Sequence, residues 1–179
     1  KQFIQTQEQI SLYEELVRKG NSTHSVDEVV NFASIKIGNC LIFCDKKFRI
    51  LSYSTSIPVT DILWKENIER GYCTYEFISN VMSLEAVQSS SANIEAIEVS
   101  CPESPYRKCS SKVFLNGVQV GFVLMIESVT AFTTEHLAAM SDISRAISFV
   151  VGRYHPELLR YSSADQQLLE ALLIGTRSE

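Results

Sequence analysis

Apolar positions recur at helical spacing toward both ends of the chain and at strand spacing in between. In residues 1–19, Phe3, Ile10 and Val17 repeat every seven positions, with Leu12, Tyr13 and Leu16 beside them. A seven-residue apolar repeat predicts a short coiled-coil or docking helix, here with Thr6 as a polar break in the seam. Gly20 and Asn21 are expected to end it. Val26, Val29, Val30, Ala33 and Ile37 then line one face of a second helix. Ser25, with Glu28 three residues on, reads as its capping box, and Gly38 as its stop.

The period then changes. "NCLIFCD" (39–45) and "RILSYS" (49–54) are short apolar runs around the turn Asp45-Lys46-Lys47, which predicts a hairpin. In a regular strand Ser52 and Ser54 share one face, and Leu51 and Tyr53 the other. Helical spacing returns after Pro58. Thr60 is the expected N-cap, Trp64 and Ile68 lie on one side, and Gly71 ends the helix. Thr74 caps a further helix carrying Phe77, Ile78 and Val81. Past the polar loop "QSSSAN", three strands are expected: 94–100, 109–115 and 118–128. The last two are joined by Asn116-Gly117, a hairpin-turn dipeptide. Leu137, Met140, Ile143, Ile147, Val150 and Tyr154 mark a long helix broken at His155-Pro156. A last helix, capped by Ser163 and Gln166, carries Leu168, Leu169, Leu172 and Leu173 and ends at Gly175.

This order predicts a mixed α/β chain of the α+β kind: one five-stranded antiparallel sheet flanked by helices, with the last strand beside the first. The layout resembles that of GAF and PAS sensor domains, in which the excursion between the second and third strands roofs a pocket. The expected division is an N-terminal dimerisation or docking helix (1–20), a sensor domain (21–155) and a C-terminal helical linker (156–179).

Composition narrows the class. The chain has 179 residues, 45% hydrophobic and 21% charged, enough for one domain with a full core. A net charge of −5, with no basic run, disfavours direct contact with nucleic acid. The longest apolar run, 120–126, is interrupted by Gly121 and falls short of the ~20 residues that span a bilayer. No membrane association is expected. Five cysteines without framework spacing imply reduced thiols and a cytoplasmic setting. The chain begins at Lys1 and ends in a polar tail, so a larger parent protein is expected.

Three stretches carry a resemblance. "NCLIFCDKKFRILSYS" after its helix, and "PVTDILWKENIERGYCTYEFI" with its Trp helix and Gly-Tyr-Cys-x-Tyr-Glu-Phe-Ile corner, resemble the N-terminal sensor region of PucR-class bacterial transcription factors, the purine-catabolism regulators and their relatives. "SSADQQLLEALLIG" resembles the linker before that family's C-terminal helix-turn-helix. The resemblance implies a cytoplasmic, homodimeric regulator that answers an unidentified small molecule. It also implies that DNA is bound only through a C-terminal domain outside this chain.

The aromatic concentration at Trp64, Tyr72, Tyr75 and Phe77 could stack a flat ligand or simply pack a core corner. With Cys44, Ser52, Ser54, Cys73 and Ser111 these form the candidate ligand-binding set. Cys73 precedes the cap Thr74, where a helix dipole could lower its pKa. A thiol redox enzyme of the sulfoxide-reductase type is therefore an alternative, with Cys73, Cys101 and Cys109 gathered at one sheet end. A structural dimerisation module without a pocket is another. No Cys-x-x-Cys, phosphate loop or hydrolase triad occurs, and none of His24, His136 and His155 lies near Cys73 in sequence. No metal, cofactor or catalytic residue is expected. Asp61 and Glu66 read as surface charges of their helix, and Lys112 as exposed.

Overall fold

The structure, a computed structural model, describes residues 10–83, 94–99, 101–102 and 104–160. In chain order the elements are α1 (Leu12–Thr23), α2 (Val26–Ile37), β1 (Cys40–Asp45), β2 (Ile50–Tyr53), α3 (Ile62–Arg70), α4 (Tyr75–Ser83), β3 (Ile97–Glu98), β4 (Lys108–Leu115), β5 (Val118–Ile126) and α5 (Thr134–Tyr154). A 3-10 turn, Pro156–Leu159, follows. The strands form one antiparallel sheet in the order β2-β1-β5-β4-β3. The last strand lies between the first and the fourth, as the sequence predicts. Among the described residues no helix is long and apolar enough to cross a membrane.

Alternation along β1 assigns the two faces. Leu41 and Phe43 join Val123, Met125, Cys109 and Val113 beneath α1, α2 and α5. Cys40, Ile42 and Cys44 join Leu124 and Ile126 on the opposite face, beneath α3 and α4. All six β1 residues are buried, which is why its first five, Cys40 to Cys44, read as an apolar run.

Three boundaries differ from expectation. First, α1 passes Gly20 and stops at His24, which takes the left-handed cap conformation at φ 55. Gly20 is used for close approach, since a Cβ there would overlap Val150 on α5. Second, Asp61 rather than Thr60 caps α3, its side chain accepting from the Leu63 N–H at 3.0 Å. Third, among the described residues of the expected strand 94–100, Ile97 and Glu98 pair with Ser110 and Cys109, and the Val99 N–H donates to the Lys108 carbonyl at 2.9 Å. The Ile94 carbonyl instead accepts the hydroxyls of Ser111 and Ser141. The start of the seven-residue repeat at Phe3 and the leucine-rich helix 163–175 lie outside the described residues.

Candidate functional site

The site grows from one corner. Gly71 ends α3 at φ 83, a conformation a side chain resists. The chain then runs antiparallel to the edge of the hairpin. The Ile50 N–H donates to the Gly71 carbonyl at 2.8 Å, and the Cys73 N–H to the Phe48 carbonyl at 2.9 Å. Arg49 and Tyr72 form an isolated bridge. The Thr74 hydroxyl accepts from the Phe77 N–H at 3.4 Å, which starts α4. The corner thus stitches the roof to the sheet. Trp64 and Phe77 meet edge to face, 4.9 Å between centroids at 81°. Both are buried with Cys73 over a floor of Cys40, Ile42, Cys44, Leu124 and Ile126.

The candidate residues divide into groups. Cys44, Trp64, Cys73 and Phe77 come together in this cluster. Tyr72 and Tyr75, 55% and 51% exposed, lie on the outer surface of the roof. Ser52, Ser54 and Ser111 do not face the roof. Ser52 pairs with Phe43 and donates to Asp27 of α2 at 2.5 Å. Ser54 accepts from the Leu41 N–H at 2.9 Å. Ser111 pairs with Val123 and holds the Ile94 carbonyl. Their hydroxyls serve helix and strand termini on the helical face.

The thiols divide as well. Cys73 and Cys101 lie in the roof cluster, whereas Cys109 is buried on the helical face, so the expected gathering of these three does not occur. Cys44 does meet Cys73; burial and the neighbouring thiol push the Cys44 pKa well above its ordinary value. Burial, with the Glu98 charge adding to it, pushes Cys109 up to about 12. Burial likewise raises Cys40. A nucleophilic thiol needs the opposite environment, electropositive and partly exposed. Among the described residues no three His, Cys, Asp or Glu side chains converge as metal ligands.

Sequence reasoning missed the polar side of the roof. Asp61 and Lys108 are an ion pair at 2.9 Å, with side chains 2% and 0% exposed. Ser104 bonds both, and the Lys108 ammonium also donates to the Tyr106 carbonyl at 2.9 Å. A charge that takes several partners tolerates burial. One and two steps of three along α3 from Asp61 lie Trp64 and Asn67, both fully buried. The Trp64 Nε1 and both polar atoms of the Asn67 amide have no hydrogen-bond partner. Each such buried group typically costs about 1–3 kcal/mol. The helical three-residue spacing of Asp61, Trp64 and Asn67 was the available signal. It was masked because Asp, Trp and Asn do not read as one face on any hydropathy pattern.

No family model matches this sequence, and no curated protein matches it. Solved structures do. The fold is similar to the cofactor-binding GAF domain of the nutrient sensor CodY from Clostridium difficile, at 11% identity and TM-score 0.50, covering 76% of this chain and 91% of that one. It is also similar to a phycocyanobilin-bound GAF domain from a cyanobacterial phytochrome (8% identity, TM-score 0.49, 82% of this chain and 94% of that one). A third similarity is to the E. coli DhaR(N)–DhaL complex (16% identity, TM-score 0.44, 94% of this chain and 59% of that one). The five-stranded antiparallel sheet flanked by helices is therefore a GAF-type fold.

Proposed function

We propose that this chain is the ligand-sensing and dimerising part of a cytoplasmic transcription regulator of the PucR class, without enzymatic activity. A small molecule enters between the sheet and the α3–α4 roof. The carrying observation is the unpartnered indole N–H of Trp64 and amide of Asn67, buried together in the roof. A ligand that hydrogen-bonds them gains more than one meeting already paired groups. The fold likeness to a cofactor-binding domain of a nutrient sensor supports the same reading.

The output runs through Arg49. Its backbone bridges Tyr72 in the roof corner. Its side chain pairs with Asp45 at 3.0 Å and donates to the Leu158 and Arg160 carbonyls at 2.7 and 3.3 Å, just past α5. A ligand that prefers one arrangement of the corner thereby biases the chain leaving α5 toward the linker 156–179. Dimerisation is through 1–20 and 156–179, and DNA binding through a domain outside this chain.

Thermal unfolding against a panel of purines and their breakdown products, nucleotides and amino acids tests the reading. At about 100 times its Kd a ligand stabilises by roughly 2.7 kcal/mol. Asn67→Leu, which removes the orphaned amide, is expected to raise stability by about 1–3 kcal/mol and to abolish the ligand shift. A ligand whose shift survives Asn67→Leu undiminished binds elsewhere, and the roof site is then wrong.

A further inference from the structure

His136 is buried where the start of α5 meets the end of α2, with both ring nitrogens bonded. Its Nε2 lies 2.9 Å from the carbonyl of Ile37, the last residue of α2. Its Nδ1 lies 3.1 Å from the backbone nitrogen of Thr133, the N-cap of α5, and 2.9 Å from the Thr133 hydroxyl. A carbonyl only accepts and a backbone N–H only donates, so these two partners fix the ring. Nε2 carries the proton, Nδ1 carries none, and the imidazole is neutral. One side chain thus caps two helices. It donates to a terminal carbonyl of α2 and accepts from the N-cap N–H of α5, groups that the helices themselves leave unpaired. A glutamate at the same place in a capping box does only the second.

We propose that His136 is a pH-operated latch between α2 and α5, independent of any ligand in the roof. When water delivers a proton to Nδ1, the ring no longer accepts and the Thr133 N–H is set free. The new Nδ1–H has an acceptor 2.9 Å away in the Thr133 hydroxyl, while Nε2–H keeps the Ile37 carbonyl. The ring therefore stays in place and exchanges one group of Thr133 for the other. The resulting positive charge faces two helix ends of opposite sense: the carbonyl end of α2 attracts it and the amide end of α5 repels it. The effect is local, a loosening of the first turn of α5 against a ring still fastened to α2. Among the described residues, the charged groups that share its surface cleft of about 590 Å³ are Glu15 of α1, Lys36 of α2 and Glu135 of α5. Glu15 and Lys36 hold each other at 3.0 Å. The Phe132 ring lies 6.3 Å from the imidazole; Arg107 sits over that ring at 5.2 Å, and Glu127 accepts the Phe132 N–H at 2.8 Å. The loop before α5 is pinned separately, the Asn39 Oδ1 accepting from the Ser128 and Thr130 N–H groups at 2.8 and 3.1 Å. The release therefore stops at Thr133 and does not spread into the sheet.

The test is an NMR titration of the ¹⁵N-labelled chain between about pH 8 and 5, the range in which imidazoles change charge. At the upper end the His136 ring is expected as the Nε2–H tautomer. As the ring gains its second proton, the Thr133 amide proton should move upfield with the same midpoint. Its exchange with solvent, corrected for the intrinsic effect of pH, should quicken about fivefold, the worth of one hydrogen bond. The Gly38 N–H, bonded to the Ser34 carbonyl at 2.9 Å, is a neighbour that should hold. His155→Gln should leave the Thr133 response intact, since His155 caps the other end of α5. His136→Gln offers a donor and an acceptor without titrating and should abolish the response. If that variant fails to fold, the wild-type tautomer and the two midpoints decide the matter. An Nδ1–H tautomer at the upper end, a ring that stays neutral to the lower end, a Thr133 amide that does not follow the ring, or a response that persists in His136→Gln would each overturn the latch.

Discussion

Asp61 uses its carboxylate twice. One oxygen caps α3 through the Leu63 N–H, and the other holds Lys108 and Ser104 across the roof. Removing one member of such a buried pair leaves an uncompensated charge and typically costs about 3–5 kcal/mol, while removing both costs far less. Lys108→Met and Asp61→Asn are each expected to destabilise by about that much in urea, with the asparagine retained as a capping residue. The double variant should recover most of the loss. Simply additive effects would show that the two residues do not depend on each other. Neither role was legible from the chain. Asp61 reads as an ordinary charge at a helix start, and the partner that buries it lies on the far side of the 101–106 loop. Trp64 and Phe77 were legible as a packing corner, because large aromatic side chains concentrate there. Their separation from Ser52, Ser54 and Ser111 was not. Alternation says which residues share a face but not which face lies under the roof.

Elements were legible where their limits are set locally. Ser25 accepts from the Glu28 N–H at 3.2 Å, which is half of the expected capping box, the Ser25 N–H donating to the Thr23 hydroxyl instead, and Gly71 and Thr74 turn α3 into α4. Limits set by distant partners were not legible: Gly20 stays helical because Val150 needs the space. The start of α5 shows a third case. His136 takes the place of the usual glutamate in the capping box, with its Nδ1 accepting from the Thr133 N–H at 3.1 Å. The end of α5 carries a pH dependence. His155 donates from Nε2 to the His24 carbonyl at 2.5 Å and pairs through Nδ1 with Glu157 at 2.9 Å. The His24 carbonyl and Glu157 raise its pKa above the ordinary 6.5. A raised folded-state pKa means the contribution is fully present below about pH 6.5 and is lost as pH rises through the folded value. The imidazole resonances of His155 should therefore titrate with a midpoint above 6.5. Melts on the two sides of that midpoint should differ in the wild type and converge in His155→Gln. A midpoint below 6.5 would contradict this account of the helix end.

At the scale of the whole molecule, the sheet separates two cores that do different work. The helical face is the larger core and mostly aliphatic, with Leu16, Val29, Val30, Met140, Ile143 and Ile147 in it. The roof face is smaller and carries Cys40, Cys44, Cys73, Cys101, Trp64 and the buried ion pair. Stability should therefore belong mainly to the first and response to the second. Truncation after Arg160 leaves the described residues of both cores in place. It is expected to leave a cooperative melt and to lower the dimer fraction by light scattering; an unchanged dimer would remove the linker from the association. Arg49 joins the two regions most economically. The corner behind Arg70 and the exit at Arg160 both contact Arg49, which couples their opening. Both arginines are trypsin sites. In limited digestion their cuts should appear at the same time, slow together when ligand is added, and lose that synchrony in Arg49→Met. A protease would then read as a single clasp two places that the linear chain sets far apart.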